Sequence, residues 1–198
     1  MAAMKDDEII AELRSRLTGR LGWLSSELEC LFKEQGGGVN GKSLHIGLNK
    51  KYGSGYSACV IHGPLNDAAR TAELPSEYRD ILGHFNGAKL FAISLFGILD
   101  DESNNRRCLS LADANQFWIH EYRRLPKGTF HFGSRRFSYE ENIGYFYGTS
   151  QQVFSARKTG ETVNTWPSIE GMLHDEWEVS KRLETERRDR LSHIRASV

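Results

Sequence analysis

Residues 36–43 read GGGVNGKS, and how those eight residues are read decides the fold. They satisfy G-x-x-x-x-G-K-[ST], the pattern of a phosphate-cradling loop. In such a loop a buried strand runs into the glycines and a helix leaves them, so that backbone amides and a helix N-terminus converge on phosphate. Here the flanks run the other way. Before Gly36, Leu21, Leu24, Leu28 and Leu31 form one helical stripe, widened by Phe32 and stopped by the glycines. After Lys42, SLHIGL (43–48) alternates Leu44, Ile46 and Leu48 against Ser43, His45 and Gly47, which is the period of a strand. Lys42 and Ser43 would therefore open a strand, with no helix dipole behind an anion. We read the glycines as a flexible join between helix and hairpin, and Lys42 as a solvated lysine. FGILDD (96–101), an apolar run ending in acids, then has no phosphate loop to serve. A P-loop-like nucleotide-binding enzyme stays only as a remote alternative.

Working outward, DDEIIAELRSRL (6–17) places Ile9, Ile10, Leu13 and Leu17 on one helical face, with acids first and arginines last as the helix dipole favours. YSACVI (56–61) pairs with 43–48 as a hairpin, and 64–73 reads as a short polar helix or loop. LPSEYRDILGHFNG (74–87) predicts a helix. Pro75 suits its first turn, Tyr78, Ile81, Leu82 and Phe85 fall at i, i+3, i+4 and i+7, and Asn86-Gly87 supplies a left-handed stop. Strands are predicted at 89–99, 116–125, 128–137, 142–148 and 151–157, with a polar loop at 100–107. Trp166-Pro167-Ser168 opens a terminal helix carrying Ile169, Met172, Leu173 and Trp177 and continuing to about Ile194, its later part a solvated face. Short strands on short connections favour an antiparallel pairing, because parallel neighbours need long crossovers. The expected fold class is α+β: a central, mainly meander antiparallel sheet packed by N-terminal, middle and C-terminal helices.

Composition narrows the function classes. The 198 residues are 39% hydrophobic and 26% charged, enough for one core, so a single domain is expected. With 26 basic and 26 acidic side chains, nothing global draws the chain to nucleic acid or an anionic membrane. Cys30, Cys59 and Cys108 lie far apart without a C-x-x-C pair, as expected of reduced cytosolic thiols. MAAMKDDEII does not read as a secretory signal, and no run approaches the roughly 20 apolar residues that cross a bilayer. A cytoplasmic protein is expected.

Residues able to carry chemistry are scattered. No histidine pairs with another at a metal-ligand spacing. His120 and His131 fall on exposed faces of the predicted strands. Cys59 and His62 point to opposite faces, and we read Cys59 as buried and structural. The pairs Asp100-Asp101, Glu140-Glu141 and Asp175-Glu176 are adjacent carboxylates, which diverge rather than converge on one bond; solvated turns or helix ends are expected. KGTFHFGSRRF (127–137) misses the residue order of an RNA-recognition strand, and Phe130 and Phe132 are expected to face the core. No catalytic residue, cofactor or metal is expected.

LPSEYRDILGHFNGAKLF (74–91) resembles the signature of the SUKH superfamily, which includes the fungal Smi/Knr cell-wall regulators and many bacterial immunity proteins. The matching positions are Leu74-Pro75, the aromatic Tyr78, the apolar helix residues Ile81-Leu82 and the Asn86-Gly87 turn. A glycine-bearing apolar strand comes next, at Gly97, and Trp166–Ile169 fills the start of the terminal helix. The resemblance covers roughly residues 64–178, leaving the helices and hairpin of 1–62 and the tail of 179–198 as decorations. It implies a binding scaffold rather than an enzyme, whose bacterial members neutralise toxins by direct contact. On that expectation the partner is a protein, such as a nuclease-type toxin domain. Asp100, Asp101, Glu102, Glu140 and Glu141 would mimic phosphates toward a basic surface. The alternative is a regulatory scaffold of the Smi/Knr type with no toxin partner.

Overall fold

The computed structural model describes residues 5–48, 57–98, 109–136 and 142–196. The two apolar stripes at the start form helices α1 (Asp6–Arg16) and α2 (Gly22–Gln35). Ile9, Leu13, Leu17, Leu21, Leu24 and Leu28 are buried, each worth about 2 kcal/mol of transfer free energy. Arg14 joins the pair from outside, donating to both carboxylate oxygens of Glu29 at 2.9 and 2.8 Å.

The glycine stretch is not a flexible join. Gly36 ends α2 at φ +73°, and Gly37–Asn40 form strand β1, antiparallel to β2 (Ser43–Leu48). Asn40 sits opposite Ser43, so Gly41 and Lys42 alone make the turn, with Gly41 at φ +60°. A Cβ on Gly37 would lie 2.6 Å from the Phe32 ring and 2.5 Å from the His45 carbonyl. One on Gly47 would lie 2.8 Å from the Ala58 methyl. These glycines let α2 lie directly against the hairpin, a packing role that the phosphate-loop pattern concealed. Lys42 leads into strand β2, so a helix N-terminus is missing where phosphate would need one.

Strand β3 (Ser57–Ile61) pairs with β2 in the expected hairpin, placing Leu44 opposite Ile61 and Ile46 opposite Cys59. Helices α3 (Ala68–Thr71) and α4 (Ser76–His84) come next. Tyr78, Ile81, Leu82 and Phe85 are buried as their spacing predicts. The stop is earlier than expected: Phe85 is already extended at φ −158°, and Gly87 at φ +82° turns the chain into the sheet.

The single strand predicted at 89–99 is two, β4 (Ala88–Leu90) and β5 (Ile93–Leu95), broken at Phe91-Ala92 with Phe91 at φ +53°. Residues 116–125 are not a strand. Helix α5 (Leu111–Gln116), which buries Leu111 and Ala114 at helical spacing, leads into a 3₁₀ turn at Trp118–Glu121, and Tyr122 just past that turn is buried. Then come β6 (Phe130–Arg136), β7 (Asn142–Tyr147), β8 (Val153–Arg157), β9 (Thr162–Trp166) and α6 (Ile169–Ala196). Sequence reading missed β9. The nine described strands are hydrogen-bonded in sequence order, β1 to β9, as an antiparallel meander with helices: an α+β fold.

The chain forms two compact units, Met1–Lys89 with Phe96–Ser110, and Leu90–Leu95 with Leu111–Val198. Within the second, α6 lies on one sheet face, placing Trp177 edge-on to Phe91 at 5.1 Å. On the opposite face Tyr122 packs with Phe146 and Ala156, joined by Ile119, Leu125 and Phe154. Burial on both faces explains why the central strand β7, NIGYFY, is nearly continuous in bulky apolar residues rather than alternating. In the helix tail expected to be solvated, Lys181 and Arg182 are exposed but Glu184 is buried. Ser180 donates to Leu90 O at 2.9 Å and accepts from Ala92 N and Ile93 N at 2.7 and 3.1 Å, so one hydroxyl satisfies the backbone of the Phe91-Ala92 turn.

Candidate functional site

In the first unit, helix α4 and its exit position two polar side chains on one short segment. Tyr78 lies on the buried stripe of α4, and its hydroxyl donates to the carbonyl of Phe96. Asn86, buried just past the helix, donates from Nδ2 to Ile98 O and accepts from Ile98 N, both at 2.8 Å. A side-chain amide thus reads one residue's backbone as a neighbouring strand would. Gly97, between them, donates to Leu109 O at 3.0 Å and bridges to Ser110. The chain leaving at Ile98 and returning at Leu109 is therefore pinned at both ends, and Leu109 is exposed. The acidic candidates between those ends, Asp100, Asp101 and Glu102, lie outside the described residues, as do Glu140 and Glu141.

The other positions of the resemblance make local contacts. Leu74 N donates to Thr71 O, and Pro75, immediately before α4, accepts from Arg79 N, both at 3.0 Å. In the second unit Trp166 ends β9, buried, its indole donating to Asp175 Oδ2 at 2.9 Å. Asp175 and Glu176 do diverge, as adjacent carboxylates should, but Glu176 is not solvated.

Glu176 on α6 is a buried carboxylate. Arg135 on β6 donates to its Oε2 at 2.5 Å and the Tyr145 hydroxyl on β7 at 2.7 Å. The Glu176 side chain is only 5% exposed and that of Arg135 15%. Burial first, and then the neighbouring Glu176 carboxylate, push the Tyr145 phenol well above its usual range, so it stays a donor. Sequence reading missed this group because its members lie on three elements, and only the packing of α6 brings them together.

His131 also departs from expectation. It is buried, stacked on Phe146 at 4.6 Å and met edge-on by Tyr122 at 5.3 Å. The 3₁₀ segment where a strand was expected covers that face. Asn115 on α5 grips the same residue's backbone, donating to His131 O and accepting from His131 N at 2.8 Å each. Burial lowers the imidazole pKa to about 4. The unfolded chain takes up that proton below about 6.5 and the folded chain only near 4. Stability is therefore complete above the unfolded pKa and lost as pH falls through the window between the two. Urea denaturation is expected to show a loss of about 2 kcal/mol from this residue between pH 7 and pH 5. His131→Leu should remove that part of the slope; an unchanged slope would contradict the assignment.

Two further histidines are buried in hydrogen-bonded pairs. His62 shares a hydrogen bond with Ser43 at 2.9 Å, and His45 with Ser57 at 3.0 Å, all four buried. Cys59 is buried as expected, and His120 is exposed. Phe130 is partly buried and Phe132 fully. Among the described residues no three His, Cys, Asp or Glu side chains are grouped to hold a metal ion, and no helix is long and apolar enough to cross a membrane. The exposed large apolar side chains described are Val39, Leu109 and Phe117. Comparison with protein-family profiles, with curated proteins and with solved structures gives no match.

Proposed function

We propose that this chain is a non-enzymatic protein-binding module of the SUKH type, most specifically an immunity-type protein that neutralises a bacterial toxin by direct contact. The observation that carries the reading is how two signature positions use their polar groups. Tyr78 and Asn86 both bond to the backbone of Phe96–Ile98, so the signature supports a scaffold rather than chemistry. That scaffold fixes the base of a connection carrying Asp100, Asp101 and Glu102, with exposed Leu109 at its return. Connections between regular elements are where binding residues concentrate. The acidic sequence Asp100–Glu102 suits a basic partner surface, such as a nuclease's substrate cleft.

Co-expression with a toxin domain encoded beside this gene tests the proposal, and a complex stable through gel filtration is expected. Absence of such a neighbour, or of any complex with it, would count against an immunity role. Recovery of host regulators instead would favour the Smi/Knr-type alternative.

A further inference from the structure

We infer that β1 is a pairing edge through which two copies of this chain associate, antiparallel and two-fold, continuing the sheet from one copy into the other. This does not rest on the toxin-binding reading. β1 is first in the strand order, so no described strand lies beyond it. The direction of its backbone groups is set by the hairpin. Gly36 O accepts from Gly47 N at 2.9 Å, and Asn40 faces Ser43 across a two-residue turn. Residues 36, 38 and 40 therefore bond inward to β2, which leaves the N–H and C=O of Gly37 and Val39 directed outward.

Open edges are commonly blunted by lysine, proline or a bulge. Gly37–Asn40 has no charge and no proline, its pairing to β2 shows no register shift, and Val39 is an exposed apolar side chain. The glycines leave little side chain to hold another backbone away.

A second copy fits this edge by symmetry and charge. Antiparallel pairing about Gly38 sets Gly37 opposite the partner's Val39 and Val39 opposite the partner's Gly37, closing four main-chain hydrogen bonds. The same register sets Gly36 opposite the partner's Asn40. It brings the end of α2, with exposed Glu34, toward the partner's Gly41–Lys42 turn, whose lysine is also exposed. The acid meets the base twice, once on each side of the axis, as an isologous interface requires.

Sedimentation velocity over a concentration series tests the inference with Val39→Pro and Val39→Lys. Proline removes an N–H that the β1–β2 ladder does not use, and lysine places a charge on the edge without altering the backbone. Expected is a concentration-dependent dimer for the wild type, lost or weakened at least tenfold in both variants, with Val39→Lys matching the wild-type melting temperature at dilutions where both are monomeric. A wild type that is monomeric throughout overturns the inference, whether or not another protein's strand occupies the edge. A dimer unaffected by Val39→Lys also overturns it.

Discussion

Glu176→Ala is expected to destabilise the protein by about 3–5 kcal/mol, the cost of leaving a buried charge without its partner. Arg135, its side chain 15% exposed, would lose the carboxylate it donates to at 2.5 Å, and Tyr145 would lose the acceptor of its hydroxyl. The loss is carried by the orphaned groups rather than by the pair itself, since a buried ion pair repays little more than its own desolvation. A second variant separates the two contributions. Arg135→Met combined with Glu176→Leu removes both charges and is expected to recover most of the stability lost by Glu176→Ala. Urea denaturation of the two proteins measures this. A Glu176→Ala protein as stable as the wild type would contradict the packing of α6 against β6 and β7.

The second large effect is expected at Asn86, where Asn86→Leu should cost about 3 kcal/mol. Its amide satisfies both the N–H and the C=O of Ile98 in a buried setting, and leucine satisfies neither. Tyr78→Phe removes the bond to Phe96 O and should cost about 1 kcal/mol. Because both hold the base of the 98–109 connection, Asn86→Leu should also speed amide exchange at Ile98 and Gly97 relative to the core of α2. Uniform exchange changes across the chain would instead mean global destabilisation alone.

What the sequence disclosed was local. The stripe of Tyr78, Ile81, Leu82 and Phe85 and the alternation in 43–48 each lie within one element, and both elements form where the period places them. What it hid was set by distant partners. The break at Phe91-Ala92 has no glycine, proline or asparagine to announce it, and Ser180 on α6 satisfies its backbone. The aromatic run at 117–122 has the composition of a strand. Its spacing does not separate the two either, since a strand would also set exposed Phe117 and buried Tyr122, five residues apart, on opposite faces. Alternation sets His131 on the face opposite Phe132, and the cover of Tyr122 and Phe146 buries that face. For the candidate site, the motif residues were legible and their purpose was not: no spacing shows that Asn86 reads Ile98. The glycines of GGGVNGKS were legible as a pattern, while their use, to admit Phe32 and to form an edge strand, depends on where α2 lies.

Calorimetric titration of the wild-type chain with the toxin domain encoded beside its gene, set against Asp100→Lys/Asp101→Lys/Glu102→Lys, tests the proposed function most directly. Binding by the wild type is expected, weakened at least about tenfold by the triple substitution with the melting temperature unchanged. No binding by the wild type, or equal affinity in the triple variant, would contradict it.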